Sequence, residues 1–164
     1  MDRMKNYFSI IAALSLLMIG SNGFVSTAQA QKGMKKLPDF QTMVPSKYGF
    51  DDTVSMLKSA IEGENLMVIK VINPQKMLRM VGVKSKGMKQ ILFFNPGYMK
   101  RIIQTNKQAG IEPPLKIVVM EKPNGKVAVK YIKPTYMFGR YEGLDAIGKE
   151  LESLMVKIVK SVQK

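Results

Sequence analysis

Two β-rich runs joined by a tight-turn sequence constrain the fold of this chain more than any other feature. The runs are residues 115–122 and 126–132, and Pro123-Asn124-Gly125 lies between them. Asn-Gly between two such runs is the strongest short-range signal for a β-hairpin. The chain is therefore predicted to contain an antiparallel sheet.

The same turn predicts which hairpin side chains face the core. With Asn124 and Gly125 as the central turn residues, the second strand is placed directly opposite the first. The cross-strand partners are then Met120 with Val129 and Val118 with Tyr131, and these four side chains are expected to face the core. Lys130 falls on the other face of the sheet.

The carboxyl-terminal residues predict one long amphipathic helix. Apolar residues recur there at steps of three and four, which is the spacing of a single helix face. The apolar stripe consists of Leu144, Ile147, Leu151, Leu154, Ile158 and Val162. A helix of this kind needs an apolar surface to pack on, and one face of the predicted sheet provides it.

The remaining pattern completes an α+β fold. Asn73-Pro74 and Asn95-Pro96 each predict a helix start, since an Asn cap followed by proline suits the first turn. The expected order is a strand at 46–50, a helix at 52–62, a buried strand at 66–72, a short helix through 80, a strand at 90–94, a helix, the hairpin and the long helix. This order favours a mostly antiparallel sheet with helices packed on one face. The other face would remain available to a dimer mate or a ligand.

The amino terminus predicts export from the cytoplasm. Arg3 and Lys5 precede an apolar stretch at 8–20, and Ala28-Gln29-Ala30 then gives a small-x-small cleavage pattern, which is the order of a secretory signal. Residues 1–30 are predicted to be a signal peptide, with cleavage between Ala30 and Gln31. The stretch is shorter than the roughly 20 apolar residues of a membrane span, so no transmembrane span is expected after cleavage. Retention of the leader as an anchor is the alternative.

The rest of the chain is predicted to be one domain in the periplasm or outside the cell. A flexible lead-in is expected at 31–45 and a single α+β domain at 46–164. The chain has 26 Lys and Arg against 12 Asp and Glu, a formal net charge of +14. This balance favours an anionic small molecule, an envelope polymer or a protein partner. Export makes nucleic acid an unexpected partner.

The composition excludes several kinds of site. The chain contains neither Cys nor His, so disulfides, thiolate catalysis, Cys-ligated zinc, Ser-His-Asp triads and His-ligated haem are impossible within it. No cofactor and no catalytic residue are predicted. A small exported domain without disulfides must rest on its hydrophobic core alone.

The candidate ligand-binding residues are Asn95, Lys70, Lys116, Lys130 and Tyr131. Asn95 begins a helix, where free N–H groups can hold an anion, although capping alone explains this residue. The three lysines lie in strands and would line one basic sheet face; the alternative is a face that lysines keep soluble. The main hypothesis is a non-enzymatic binding module. The alternative of an enzyme using Lys, Tyr or carboxylates would require a buried Lys or Glu beside Tyr131.

Methionine supports a further alternative. The chain has 14 Met, of which Met77 and Met80 lie three apart and Met88 follows soon after. Thioethers bind monovalent copper, so a Met-based copper protein is one interpretation. The other is flexible filling of the core.

Several segments resemble the family called domain of unknown function 302. These segments are Tyr48-Gly49-Phe50-Asp51-Asp52-Thr53, Phe93-Phe94-Asn95-Pro96, Pro114-Leu115-Lys116-Ile117-Val118-Val119, Gly125-Lys126-Val127 and Tyr131, within residues 46–140. The resemblance implies a compact α+β domain similar to one half of the TATA-binding-protein fold, a homodimer and no settled activity. Many members of the family have a His shortly after the second strand, where this chain has Asn73 and Pro74.

Overall fold

The computed structural model describes residues 36–163 of the 164-residue chain. The predicted signal peptide and its cleavage between Ala30 and Gln31 lie outside the described residues. The strands are β1 Gln41–Pro45, β2 Met67–Ile72, β3 Met88–Phe94, β4 Leu115–Glu121 and β5 Val127–Ile132. The α-helices are α1 Phe50–Gly63, α2 Pro74–Met80, α3 Pro96–Thr105, α4 Pro134–Phe138 and α5 Asp145–Lys160, and a short 3-10 helix spans Lys107–Ile111.

The strands form one five-stranded sheet in the order β1-β5-β4-β3-β2. Every neighbouring pair in it is antiparallel. With the helices, this sheet confirms the predicted α+β class. No helix within residues 36–163 combines the length and apolar character needed to cross a bilayer.

One face of the sheet carries the hydrophobic core. Its buried strand residues alternate with outward-facing ones, as strand geometry requires, and they pack with residues of α1 and α5. This core includes Ile91, Phe93, Ile117, Val119 and Val129 from the strands and Leu57, Ile61, Leu151 and Ile158 from the helices. The opposite face of the sheet presents Lys116, Val118, Lys130 and Ile132, none of which is buried.

The hairpin turn has three loop residues, not two. Gly125 N donates to Lys122 O at 3.0 Å, and Lys122 N donates to Lys126 O at 2.8 Å. Gly125 has a φ of 76°, the left-handed conformation that closes a three-residue hairpin loop with a bulge. Proline at the first loop position favours this arrangement because its ring presets φ for a type I turn.

The extra loop residue overturns the predicted hairpin register. The observed partners are Ile117 with Tyr131 and Val119 with Val129. A shift of one residue moves every side chain of a strand to the other face. Val118 and Met120, predicted to face the core, therefore lie on the open face, whereas Val129 and Tyr131 are buried as predicted.

The two edge strands of the sheet, β1 and β2, differ from what the sequence predicted. Residues 41–45, assigned to the flexible lead-in, form β1 beside β5, so the ordered domain begins before residue 46. The strand expected at 46–50 is absent, because Phe50 already begins α1. The strand predicted to be buried is β2, an edge strand whose Met67 and Ile69 are exposed. A run of branched residues does not distinguish an edge strand with a bulge from a central one.

Candidate functional site

The open face of the sheet contains a depression of about 420 Å³. Strands β1, β4 and β5 form its floor, and α4 and the segment before β4 contribute its rim. The lining residues are Gln41, Glu112, Pro114, Lys116, Val118, Met120, Lys130, Tyr131, Ile132 and Met137. The depression thus combines an apolar floor with a few polar groups, a composition typical of small-molecule sites.

Two of the predicted lysines meet in this depression. Lys130 lies directly opposite Val118 across the β4–β5 pair. Lys116 lies two residues before Val118 on the same face of β4, so it is the diagonal neighbour of Lys130, at about 7–8 Å between Cα atoms. Within residues 36–163, Lys116 forms no ion pair. The pair therefore supplies positive charge on an apolar floor.

Gln41 adds an unusual polar group to the depression. Its side-chain Oε1 is buried and has no hydrogen-bond partner among the described residues. Most buried polar atoms in folded proteins are paired, and an unpaired buried acceptor costs about 1–3 kcal/mol. The side-chain carbonyl oxygen of Gln41 is thus suited to accept a hydrogen bond from a donor group of a molecule that occupies the depression.

Glu112 is the acidic residue of the lining, and Arg140 balances its charge. Its Oε1 accepts a hydrogen bond from Arg140 at 2.8 Å and another from the Tyr141 hydroxyl at 2.7 Å. The hydrogen bond to Glu112 raises the pKa of Tyr141. Because Arg140 balances the Glu112 carboxylate, Glu112 does not offset the positive charge of Lys116.

Tyr131 borders the depression but directs its side chain into the core. It alternates with Lys130 along β5 and is almost completely buried. Burial raises the pKa of Tyr131, a hydrogen bond with Thr42 lowers it, and the nearby Glu152 carboxylate raises it. Glu152 is the carboxylate that an enzymatic site beside Tyr131 would require. It accepts hydrogen bonds from both the Thr135 hydroxyl and the Thr135 amide at the start of α4.

Lys70 shares the open face but not the depression. It lies opposite Leu92, which in turn lies opposite Lys116. Two strand spacings, about 10 Å, therefore separate Lys70 from Lys116. The three lysines do line one face as predicted, with Lys70 exposed at its β2 edge.

Asn95 lies at a second depression, of about 390 Å³, beside α3. Its Oδ1 accepts a hydrogen bond from Gly97 N at 2.7 Å, and its Nδ2 donates to Asn65 O at 2.7 Å. The predicted helix cap is therefore confirmed. Both polar atoms of the Asn95 side chain are engaged in holding the start of α3 to the loop after α1.

The other polar groups at this second depression also pair with one another. Arg101 donates to both carboxylate oxygens of Glu150, at 2.7 and 2.9 Å. The hydrogen bond from Arg101 lowers the pKa of Glu150. Burial, followed by the Glu150 charge, raises the pKa of Tyr98. We infer a structural role for this cluster, because its acid and base neutralise each other.

Metal ligands are sparse in the described part of the chain. Residues 36–163 contain no group of three or more His, Cys, Asp or Glu side chains placed to hold a metal ion. Met77 and Met80 are exposed on α2, and Met88 begins β3.

Sequence reasoning missed several residues of the first depression. Gln41 was missed because residues 31–45 were predicted to be a flexible lead-in. Met120 was missed because the predicted hairpin register placed its side chain in the core. Glu112 and Met137 come from segments without a periodic pattern. The alternation of Gln41, Thr42, Met43 and Val44 was the one available signal for β1, and it spans too few residues to stand out.

The fold and the open face define a small antiparallel α+β domain with helices on one side of its sheet. A crystal structure of an uncharacterized conserved DUF302 protein from Bacillus stearothermophilus has this fold, with a TM-score of 0.71 and 23% identity over 76% of this chain and 98% of the other. No curated protein sequence matches the chain. The family model for domain of unknown function DUF302 matches residues 42–162, and the chain belongs to that family.

Proposed function

We propose that this chain is an exported, non-enzymatic binding domain whose open sheet face takes a small amphipathic anion. The anionic group would lie against Lys116 and Lys130, and the apolar part would cover Val118 and Ile132. The predicted signal peptide supports export to the periplasm or the exterior.

The unpaired carbonyl oxygen of Gln41 is the observation that carries this proposal. A buried acceptor without a donor destabilises the free domain, and a ligand that donates a hydrogen bond there would remove the penalty. A hydroxyl group of the ligand could make this bond while the lysines hold the ligand's carboxylate. Charge-assisted hydrogen bonds of the kind that lysines make are among the stronger ones.

A second copy of the chain is the main competing occupant of the open face. The family resemblance favours a homodimer, and a flat sheet with exposed Met43 and Ile132 is a surface that a mate could cover. The two occupants differ in chemistry, since two copies would bring Lys116 and Lys130 of both chains together. Like charges close to each other oppose such a contact, which favours the anion.

The proposal is tested with decanoate, an anion with a flexible apolar tail, by isothermal titration calorimetry. The full chain is expressed, and the recovered form is defined by mass spectrometry of its amino terminus. We expect one decanoate per chain. The double substitution K116Q/K130Q should weaken binding at least 10-fold, because each lost charged hydrogen bond is worth about 1.5–3 kcal/mol.

The matched control is K58Q/K149Q, which removes the same charge from exposed positions on α1 and α5. It should bind decanoate as the unsubstituted chain does. Equal losses in both double variants would mean that net charge alone attracts the anion. Absence of binding, with a dimer in native mass spectrometry that K116Q/K130Q strengthens, would assign the face to a second copy.

The substitution Gln41→Leu should have opposite effects on stability and on binding. Leucine removes the unpaired buried carbonyl, so the free energy of unfolding of the ligand-free chain should rise by about 1 kcal/mol. The affinity for 3-hydroxydecanoate, whose hydroxyl can donate to Gln41 Oε1, should fall, whereas the affinity for decanoate, which has no donor, should stay the same. Urea unfolding and calorimetry on the same preparation measure both effects. A fall in stability with unchanged affinity for 3-hydroxydecanoate would contradict the assigned role of Gln41.

A further inference from the structure

We propose that α2 and the turn after it dock on an anionic lipid bilayer, independently of the depression on the sheet. The docking surface consists of the apolar residues Met77, Met80, Val81 and Val83 and the cations Lys76, Arg79 and Lys84. We call it the α2 surface. The geometry and the charge of this segment carry the inference.

The apolar side chains of the α2 surface face outward. Met77 is 62% exposed, Met80 80%, Val81 74% and Val83 45%. Met77, Met80 and Val81 share one helix face, since they are spaced by three and four residues, and α2 contains no buried residue. Contiguous exposed apolar side chains of this kind mark an interaction surface.

The charge around α2 is uniformly positive. Residues 65–111 contain nine Lys and Arg and no Asp or Glu. Lys86, Lys89 and Arg101 pair with acids from other segments. Lys76, Arg79 and Lys84 form no ion pair within residues 36–163. Three uncompensated cations beside exposed apolar side chains complement the headgroups and the acyl boundary of an anionic leaflet.

A bilayer fits this surface better than a protein groove does. Aromatic residues, together with arginine, dominate the energetic centres of protein interfaces. Residues 74–84 contain no aromatic residue and one arginine, Arg79. The Met side chains of this short helix are adaptable, and a fluid interface needs no matching groove. The preceding edge strand β2 also has exposed apolar side chains, Met67 and Ile69.

Vesicle cosedimentation tests the proposal. The form of the chain recovered after expression is mixed with vesicles of phosphatidylglycerol and phosphatidylcholine, and with vesicles of phosphatidylcholine alone. We expect binding to the anionic vesicles, weakened by added salt because screening reduces the attraction. The triple substitution K76Q/R79Q/K84Q should lower the partition coefficient roughly 100-fold.

The apolar contribution is tested separately with M77Q/M80Q, which should lower the partition coefficient at least roughly 10-fold. Two controls carry matched changes elsewhere: K58Q/K149Q/K160Q on α1 and α5, and I111Q/V156Q at exposed apolar positions. Both controls should bind within about threefold of the unsubstituted chain. Every variant keeps the same amino terminus, so any contribution of that terminus cancels.

Two results would overturn the proposal. One is an absence of binding to anionic vesicles by the unsubstituted chain. The other is equal loss of binding in the α2 variants and their controls. Circular dichroism melts of all variants should coincide, because every substituted side chain is exposed, and a coincident melt assigns the loss of binding to the surface itself. Decanoate affinity should be unchanged in K76Q/R79Q/K84Q, since none of these residues lines the depression.

Discussion

Replacing Phe93 with alanine is expected to lower the free energy of unfolding by about 4 kcal/mol. Phe93 is fully buried in β3 and lies between Val68 of β2 and Leu115 of β4. Its ring is among the largest of the core side chains, so truncation removes apolar contact and leaves a cavity. Domains of this size have a total stability of about 5–15 kcal/mol, and the chain has no disulfide to compensate.

Urea unfolding followed by circular dichroism measures this effect. The midpoint should fall while the slope of free energy against urea stays the same, because the surface exposed on unfolding hardly changes. Ile111→Ala is the matched control: Ile111 is 81% exposed on the 3-10 helix, and its loss should alter stability by no more than about 0.5 kcal/mol. Similar losses in the two variants would show that the β3 face is not the centre of the core.

The local signals in the sequence predicted the helices well. The apolar stripe from Leu144 to Val162 and the capped helix starts at Asn73 and Asn95 all lie where the sequence places them. These features depend on local geometry, on hydrogen bonds within a few residues and on one buried face. Together with the hairpin strands, they predict the α+β class, because helices with a single apolar face can cover one face of an antiparallel sheet.

The hairpin shows where local reasoning fails. Asn124-Gly125 correctly predicted a turn, but Pro123 turned it into a three-residue loop, and the register moved by one. A side-chain period of two converts such an error into an exchange of faces. Val118 and Met120 were lost from the candidate site for this reason, although Lys116 and Lys130 were retained.

β1 could not be recognised because its pairing is entirely non-local. Gln41 lies opposite Ile132, 91 residues (132 − 41) away along the chain. A short strand with half-buried side chains gives almost no periodic signal of its own. The proposed function depends on the unpaired side-chain oxygen of Gln41. The sequence could not predict this atom's position, because the position depends on the pairing of β1 with β5.

The two proposed surfaces contain different groups of positively charged side chains. Lys116 and Lys130 lie within an apolar depression, whereas Lys76, Arg79 and Lys84 surround exposed apolar side chains on a helix. The first arrangement is proposed to hold a small anion, and the second is proposed to dock on a bilayer. The net charge of the chain could not distinguish these two surfaces. It depends neither on whether a surface is concave nor on which sheet face a strand side chain lies.

Gly139→Ala is expected to destabilise the domain by about 3 kcal/mol. Gly139 follows α4, and its amide donates to Thr135 O at 3.0 Å. A Cβ at this position would lie 2.6 Å from the same carbonyl oxygen, a contact that only a backbone shift can relieve. Because α4 carries Phe138 into the core and Met137 to the depression, its displacement should weaken decanoate binding as well.

Gly63→Ala provides the opposite control within the same protein. Gly63 ends α1, and a Cβ there would meet no atom within 4 Å. Alanine should therefore raise stability by about 0.5–1 kcal/mol, since glycine is a poor helix residue. Thermal and urea unfolding of both variants measure the difference in sign. If Gly139→Ala were as stable as Gly63→Ala, Gly139 would not lie against the Thr135 carbonyl as the structure shows, and the rim of the depression would have a different shape.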